Sequence, residues 1–183
     1  MIERAIFFDR DGTITVEKEY NFNPDAVELI TGALEALQLA RAHNFRLFVV
    51  TNQSGVARGL GSEDDVRRVN RRLEELVAAG AVHFDGIFYC PHLPVISGPC
   101  ACRKPARGMI DQALAAFDLD LARSFVVGDR LLDMELARNV SATGVMVLTG
   151  YGSVEVGDAS DTNCPAEVVP DILAAVRWIV NHG

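Results

Sequence analysis

The chain has 183 residues, of which 49% are hydrophobic, and its formal net charge is −8. This length favours one domain with a substantial core, and the acidic balance disfavours nucleic acid as a partner, because binding to its backbone needs a basic face. No apolar run approaches the ~20 residues that cross a bilayer, and no signal segment precedes the first apolar run. We therefore expect a single cytoplasmic domain over residues 1–183 with no membrane partner.

Strand and helix patterns alternate along the chain. Apolar runs predict strands at residues 5–8, 46–50, 86–90, 124–127 and 145–148. Amphipathic patterns predict helices at residues 33–43, 62–77, 109–117 and 171–180, with a short one near Asp133. Ser62, with Asp65 three residues later, predicts a capping box at the start of the second helix. Residues 13–30, 91–107 and 150–168 are predicted to be irregular or loops. The alternation predicts an α/β fold with three layers, Rossmann-like, in which helices cover both faces of a mostly parallel sheet.

Two acids, Asp9 and Asp11, follow the first predicted strand, just before Gly12. Residues two apart in a strand point the same way, so both carboxylates can face one pocket at the carboxyl edge of the sheet, where open α/β folds bind ligands. Such close like charges are costly unless a cation or the chemistry of a ligand requires them. Taken alone, the segment also fits a capped turn, because Asp and Gly are ordinary turn residues.

Three later segments add polar groups at comparable positions. The segment 51–55 (TNQSG) ends the second strand and can cradle phosphate oxygens. Arg103 and Lys104 precede a helix and can hold anionic groups. Asp129 ends the fourth strand, and Asp133 follows four residues later. Each segment also has a simpler interpretation: a polar turn, surface cations, or an acid at a helix N-terminus.

Together, these residue types predict one reaction class. Carboxylate oxygens suit Mg²⁺, one carboxylate can attack phosphorus, and a second can exchange protons with the leaving oxygen and with water. A lysine offsets the charge on the transferring group. The set therefore predicts phosphoryl transfer through an aspartyl-phosphate.

The cysteines suggest a second metal site. Cys90, His92, Cys100 and Cys102 supply three thiolates and one imidazole at paired short spacings, the ligand set of a closed tetrahedral zinc site. The alternative is a group of reduced, buried cysteines beside an unrelated histidine. Cys164 has no partner in sequence, and we expect it to be a free thiol.

The ordered motifs of this chain resemble those of the haloacid dehalogenase superfamily of phosphatases. The motifs are Asp9-x-Asp11-Gly12-Thr13, Thr51-Asn52, Lys104 and Gly128-Asp129-x-x-x-Asp133. The chain resembles most closely the phosphatases of this superfamily that act on D-glycero-D-manno-heptose 1,7-bisphosphate or on histidinol phosphate. The strings that carry this resemblance are FFDRDGTI, VVTNQSGVARG, YCPH, CxCRKP and VGDRLLDM.

The resemblance implies a role for each matching residue. Asp9 would be the nucleophile and Asp11 the general acid and base. Asp9, Asp129 and the backbone carbonyl of Asp11 would bind Mg²⁺. Thr51 and Lys104 would stabilise the phosphoryl group, with Asp133 in support. The implied substrate-binding residues are Glu17, Lys18, Glu19, Tyr20, Thr51, Asn52, Gln53, Ser54, Arg103, Lys104 and Arg130. The zinc loop, residues 90–102, would be structural and would shape the substrate edge.

The stretch between the first two predicted strands is too short for a large cap domain, which suits a small sugar phosphate. The resemblance implies a Mg²⁺-dependent phosphatase that removes the C7 phosphate of the heptose bisphosphate, in nucleotide-activated heptose synthesis for surface glycans. Histidinol phosphate or another small phosphomonoester is the alternative substrate. A non-catalytic, zinc-stabilised binding protein is a third hypothesis, which the complete set of acids disfavours. We expect a monomer.

Overall fold

A computed structural model describes residues 2–183 and contains a six-stranded sheet in the order β3-β2-β1-β4-β5-β6. The strands are β1 (Arg4–Phe8), β2 (Phe45–Asn52), β3 (Gly86–Cys90), β4 (Phe125–Gly128), β5 (Thr143–Val147) and β6 (Glu167–Val169). Every neighbouring pair is parallel. The predicted α/β architecture is therefore confirmed.

Helices cover both faces of this sheet. They are α1 (Ala33–Ala42), α2 (Glu63–Ala78), α3 (Pro94–Ser97), α4 (Gly108–Leu114), α5 (Leu131–Asn139), α6 (Gly152–Glu155) and α7 (Ile172–His182). Buried residues of α1 and α7 join one core, and those of α4 and α5 join the other. In β1, Ile6 and Phe8 face the first core, while Ala5 and Phe7 face the second. A strand that is buried on both faces has apolar residues at consecutive positions, so the sequence of β1 shows a continuous apolar run.

The start of α2 follows from local side-chain chemistry. The Ser62 hydroxyl accepts a hydrogen bond from the Asp65 backbone N–H at 3.2 Å, and the Asp65 carboxylate accepts one from the Ser62 N–H at 2.8 Å. These two bonds satisfy N–H groups that have no partner within the helix. The predicted capping box is confirmed.

The prediction that residues 150–168 form a loop was wrong. They contain α6, a 3-10 turn at Val156–Asp158 and the start of β6. Strand β6 pairs with β5, with Val147 opposite Val169. A strand of three residues is too short to show a period in the sequence, and its pairing with β5 defines it. The predicted loop 91–107 likewise contains the short helix α3.

The strand order places the functional residues. Phe8 lies opposite Val49 of β2 and opposite Val127 of β4, so β1, β2 and β4 end at one edge. The chain builds β2 and β3 on one side of β1 and β4 to β6 on the other. Ligands bind at such a switch point in open α/β sheets. The connection from β1 to β2 holds only a 3-10 turn at Pro24–Ala26 and α1, with no cap domain. None of the helices within residues 2–183 combines the length and apolar character that a bilayer crossing requires.

Candidate active site

Asp9 lies where β1 ends. Its backbone N–H donates to the Val127 carbonyl at 2.8 Å, which continues the β1–β4 ladder by one residue. Its Oδ1 accepts a hydrogen bond from the Arg10 N–H at 2.8 Å and lies 2.9 Å from Nζ of Lys104. Gly12, with φ of +82°, then turns the chain away from the sheet. The Asp9 carboxylate is thus held at the edge of the sheet.

Arg10 holds the Asp11 carboxylate through two contacts, Nε to Oδ1 at 3.0 Å and Nη2 to Oδ2 at 2.7 Å. Its Nη1 donates to Asn70 of α2 at 2.8 Å. Gln53 and Thr15 also donate to Asp11. Burial favours a raised pKa for Asp11, but the Arg10 charge and these hydrogen bonds outweigh it and hold the pKa below its ordinary value.

Sequence reasoning missed the roles of Arg10 and Asn70. Arg10 is only 1% exposed, and Asn70 is buried on the face of α2 that carries Val66, Val69 and Leu73. A polar residue on an apolar helix face needs a partner when it is buried. The position of Asn70 among the apolar residues of α2 was therefore the sequence signal for a buried polar partner.

Lys104 connects two acids in the interior. Its Nζ lies 2.9 Å from Asp9 and 2.7 Å from Asp133. Burial favours a lowered pKa for Lys104, but the charges of Asp133 and Asp9 outweigh it, so the pKa lies above its ordinary value and the ammonium stays charged. Asn52 fixes the lysine backbone by accepting from its N–H at 3.0 Å and donating to its carbonyl at 3.2 Å.

Three acids form a cluster at this edge: one carboxylate oxygen of each of Asp9, Asp129 and Asp133 lies within 4.8 Å of the others. Oδ2 of Asp129 accepts from the Tyr151 N–H at 2.8 Å, whereas its buried Oδ1 has no hydrogen-bond partner within residues 2–183. Burial, with the charges of Asp9 and Asp133, raises the pKa of Asp129 to about 8. A buried oxygen without a partner beside further carboxylates fits a hard divalent cation such as Mg²⁺.

Glycines on two loops make room for this carboxylate. A Cβ on Gly12 would lie 2.2 Å from Oδ2 of Asp129, and one on Gly150 would lie 2.1 Å from the same atom. Both glycines also have positive φ. The Thr149 hydroxyl donates to the Gly12 carbonyl at 2.6 Å and ties the two loops together. The loop after β5 therefore closes directly against the site.

A cavity of about 200 Å³ opens above these acids. It is lined by Asp9, Asp11, Glu17, Glu19, Tyr20, Asn21, Thr51, Asn52, Gln53, Ser54, Arg103, Lys104, Asp129, Arg130, Leu132 and Tyr151. The structure thus brings together all the residues predicted to bind substrate except Lys18. The Lys18 ammonium instead contacts the Ala26 carbonyl at 2.8 Å and Glu28 at 3.2 Å, outside the lining. Asn21, Leu132 and Tyr151 line the cavity but were not predicted.

Thr51 and Glu17 show different environments within this cavity. Gln53 Nε2 donates to the buried Thr51 hydroxyl at 2.9 Å, which leaves the hydroxyl proton for a ligand oxygen. Burial, followed by the charges of Asp11 and Asp9, raises the pKa of Glu17 to about 7. Glu17 is therefore an acid that these neighbours keep partly protonated near neutral pH.

The four predicted zinc ligands form a compact cluster. Their donor atoms lie within 4.8 Å of one another, with Cys90 Sγ to Cys100 Sγ at 3.7 Å and His92 Nδ1 to Cys102 Sγ at 3.2 Å. Three thiolates and one imidazole brought together in this way are the ligand set of a structural zinc site, so the cluster fits zinc. Arg103 donates to the His92 carbonyl at 3.1 Å, which links this cluster to the cavity.

The arrangement of acids after β1 and β4, with a buried lysine between them, defines a haloacid dehalogenase-like hydrolase. In agreement, residues 101–175 match the HAD-hydrolase-like family. The chain is 38% identical to the D-glycero-beta-D-manno-heptose-1,7-bisphosphate 7-phosphatase of Pasteurella multocida, over 97% of this chain and 99% of that protein. It is 37% identical to the D-glycero-D-manno-heptose-1,7-bisphosphate 7-phosphatase of Thermosynechococcus vestitus, over 97% of this chain and 96% of that protein.

The fold is also similar to that of a solved heptose bisphosphate phosphatase. The D,D-heptose 1,7-bisphosphate phosphatase of B. bronchiseptica, complexed with magnesium and phosphate, superposes with a TM-score of 0.87 and 28% identity, over 98% of this chain and 99% of that one. The chain belongs to the family that these heptose bisphosphate phosphatases represent.

Proposed function

We propose that the protein is a Mg²⁺-dependent phosphatase that removes the C7 phosphate of D-glycero-D-manno-heptose 1,7-bisphosphate, in nucleotide-activated heptose synthesis. The observation that carries the chemistry is the position of Lys104, whose Nζ lies 2.9 Å from Asp9 and 2.7 Å from Asp133, two acids that cluster with Asp129. The names of the relatives in Pasteurella multocida and Thermosynechococcus vestitus support the substrate.

Asp9, Asp129 and the backbone carbonyl of Asp11 would hold Mg²⁺ in this proposal, with Asp133 supporting Lys104. When bound, the ion neutralises charge on the phosphoryl group and on the acids around it. The magnesium and phosphate bound by the B. bronchiseptica enzyme support Mg²⁺ as the ion.

Asp9 would be the nucleophile. Its Oδ1 is engaged by the Arg10 N–H and by Lys104, which leaves Oδ2 to attack phosphorus. A new bond forms between Oδ2 and phosphorus as the bond from phosphorus to the C7 oxygen breaks, and water later hydrolyses the aspartyl-phosphate. Lys104 and the Thr51 hydroxyl stabilise the charge on the transferring group.

Asp11 would protonate the departing C7 oxygen and then take a proton from water. In this structure the Arg10 contacts keep Asp11 ionised. A bound phosphate brings negative charge close to Asp11, which opposes the effect of Arg10 and raises the pKa. That direction is the one that acid catalysis needs.

Two guanidinium groups, Arg103 and Arg130, line the cavity together with Lys104. Lys104 is already engaged by two acids, so the arginines are the groups available for a second phosphate, and bidentate pairing suits them to it. This favours a bisphosphate. Histidinol phosphate is a second candidate, because Glu17 and Glu19 also line the cavity and could pair with a cationic substrate.

The test is phosphate release with Mg²⁺ from both anomers of the heptose bisphosphate and from histidinol phosphate, at matched concentrations. We expect the highest kcat/KM for one heptose anomer. A preference for histidinol phosphate would contradict the proposed substrate and retain the mechanism. If the folded protein released phosphate from no phosphomonoester, a non-catalytic zinc-stabilised binding protein would be the better description.

We also propose that the protein is a single domain that acts as a cytoplasmic monomer. A site of three thiolates is suited to a reducing compartment, and the absence of a cap domain between β1 and β2 leaves one compact body. Light scattering after size-exclusion chromatography tests the monomer, and a mass near twice the 19.9 kDa of the chain would contradict it.

A further inference from the structure

We infer that Tyr151 is a positioning residue, which holds the guanidinium of Arg130 at the cavity wall and so makes the enzyme prefer a bisphosphate over a monophosphate. This inference rests on the proposed function, because it concerns the second phosphate of that substrate. Sequence reasoning missed Tyr151, which lies in a stretch predicted to be a loop.

Arg130 is held from two sides. The guanidinium of Arg130 lies over the ring of Tyr151, with Cζ of Arg130 4.4 Å from the ring centroid. The Nε edge forms an ion pair with Glu155. A cation against an aromatic face is attracted by the ring electrons. The guanidinium is therefore held between an aromatic ring and a carboxylate, and no ion pair or hydrogen bond within residues 2–183 engages its terminal nitrogens.

Both partners of Arg130 are themselves anchored. Glu155 Oε2 accepts a hydrogen bond from the Leu131 N–H at 2.7 Å, at the start of α5. The Tyr151 N–H donates to Asp129 at 2.8 Å. The backbone of Tyr151 is thus tied to an acid of the reaction centre, which fixes the point from which its ring extends.

The position of Arg130 suits a second phosphate. Its side chain is 39% exposed and lines the same cavity as Asp9. Glu17 and Glu19 line this cavity too, so a second phosphate needs a nearby cation to offset their repulsion. An arginine that is already oriented loses less side-chain entropy on binding, and preorganisation of this kind increases affinity.

The experiment compares kcat/KM for the heptose 1,7-bisphosphate with kcat/KM for the same heptose carrying only the 7-phosphate. The ratio of the two is the bisphosphate preference. Tyr151→Leu keeps an apolar side chain of similar size without an aromatic face, and we expect it to lower this preference about tenfold. Tyr151→Phe keeps the face, and we expect it to restore most of the preference.

Two further variants separate positioning from a general structural effect. Arg130→Ala is expected to lower the preference, and adding Tyr151→Leu to it should lower the preference no further, because Tyr151 acts through Arg130. Val154→Ala is the control on the short helix α6 that follows Tyr151, since Val154 is 74% exposed. Thermal denaturation of each variant confirms that it is folded.

Two results would overturn this inference: an unchanged bisphosphate preference in Tyr151→Leu, or effects of Tyr151→Leu and Arg130→Ala that add in the double variant. Either result would leave the proposed function intact, provided that the wild-type protein releases phosphate from the bisphosphate. A wild-type protein that released no phosphate from the bisphosphate would overturn both.

Discussion

Arg10 and Asp11 are neighbours in the chain, yet their side chains form a two-contact ion pair, Nε to Oδ1 at 3.0 Å and Nη2 to Oδ2 at 2.7 Å. Arg10 is almost fully buried, and Asn70 of α2 accepts its remaining contact at 2.8 Å. The ion pair therefore connects Asp11, the proposed general acid and base, to helix α2, which lies far away in sequence. Both stability and activity should depend on it.

Replacing Arg10 with methionine should lower the free energy of unfolding by about 3 kcal/mol, because it leaves Asp11 and Asn70 without their buried partner. Denaturant titration measures this change. Arg71→Met is the matched control, because Arg71 is exposed on α2, and it should change the free energy of unfolding by no more than about 0.5 kcal/mol. Equal stability of the two variants would contradict a structural role for the Arg10 pair.

Asp9→Asn should reduce phosphate release by at least about 10⁴-fold, because the amide cannot form the aspartyl-phosphate. The side chain keeps its shape, so the thermal midpoint should show that the protein stays folded. Asp118→Asn is the matched control, since Asp118 is exposed on the loop after α4. An Asp9→Asn protein with substantial Mg²⁺-dependent activity would exclude Asp9 as the nucleophile.

Removal of zinc should destabilise the protein, because the ion joins residues on both sides of the loop between Cys90 and Cys102. We expect Cys102→Ser to lose bound zinc and to melt about 10 °C lower. Cys164→Ser is the control, because Cys164 is an exposed free thiol outside the cluster. Metal analysis and thermal denaturation give the two readouts. Stoichiometric zinc in Cys102→Ser would show that the ligand set is a different one.

Glu17 should make the stability of the Mg²⁺-free protein depend on pH. Burial and the charges of Asp11 and Asp9 raise its pKa from 4.5 to about 7. The folded state then binds more protons than the unfolded state between these values, so this group makes stability fall as pH rises from 4.5 to about 7.

Glu17→Gln should remove that part of the decline, which thermal midpoints measured across this pH range would detect. Glu74→Gln is the control, because Glu74 is exposed on α2. If both variants followed the wild-type dependence on pH, the environment assigned to Glu17 would be wrong.

Much of the fold was predictable because its signals are local. The apolar run in β1 predicted a buried strand, the run in β2 predicted a strand covered on both sides, and Ser62 with Asp65 predicted the start of α2. The spacing of Asp9 and Asp11 placed two acids at the carboxyl end of a strand, and parallel pairing brings Asp129 to the same edge. The short spacings of Cys90 with His92 and of Cys100 with Cys102 indicated a metal cluster, because such spacing is also a local signal. The chemical roles inferred from these residues remain predictions.

Contacts between distant parts of the chain were decided only by tertiary structure. Lys104 reaches Asp9 and Asp133 together, Asn70 meets Arg10, and Tyr151 lies against Arg130. The sequence by itself determined which side chains can do the chemistry and which strand ends carry them, because periodicity and turn residues act over a few positions. Packing of the helices and of the loop after β5 determined how those side chains are paired, since each pairing depends on backbone segments that meet only in the folded state.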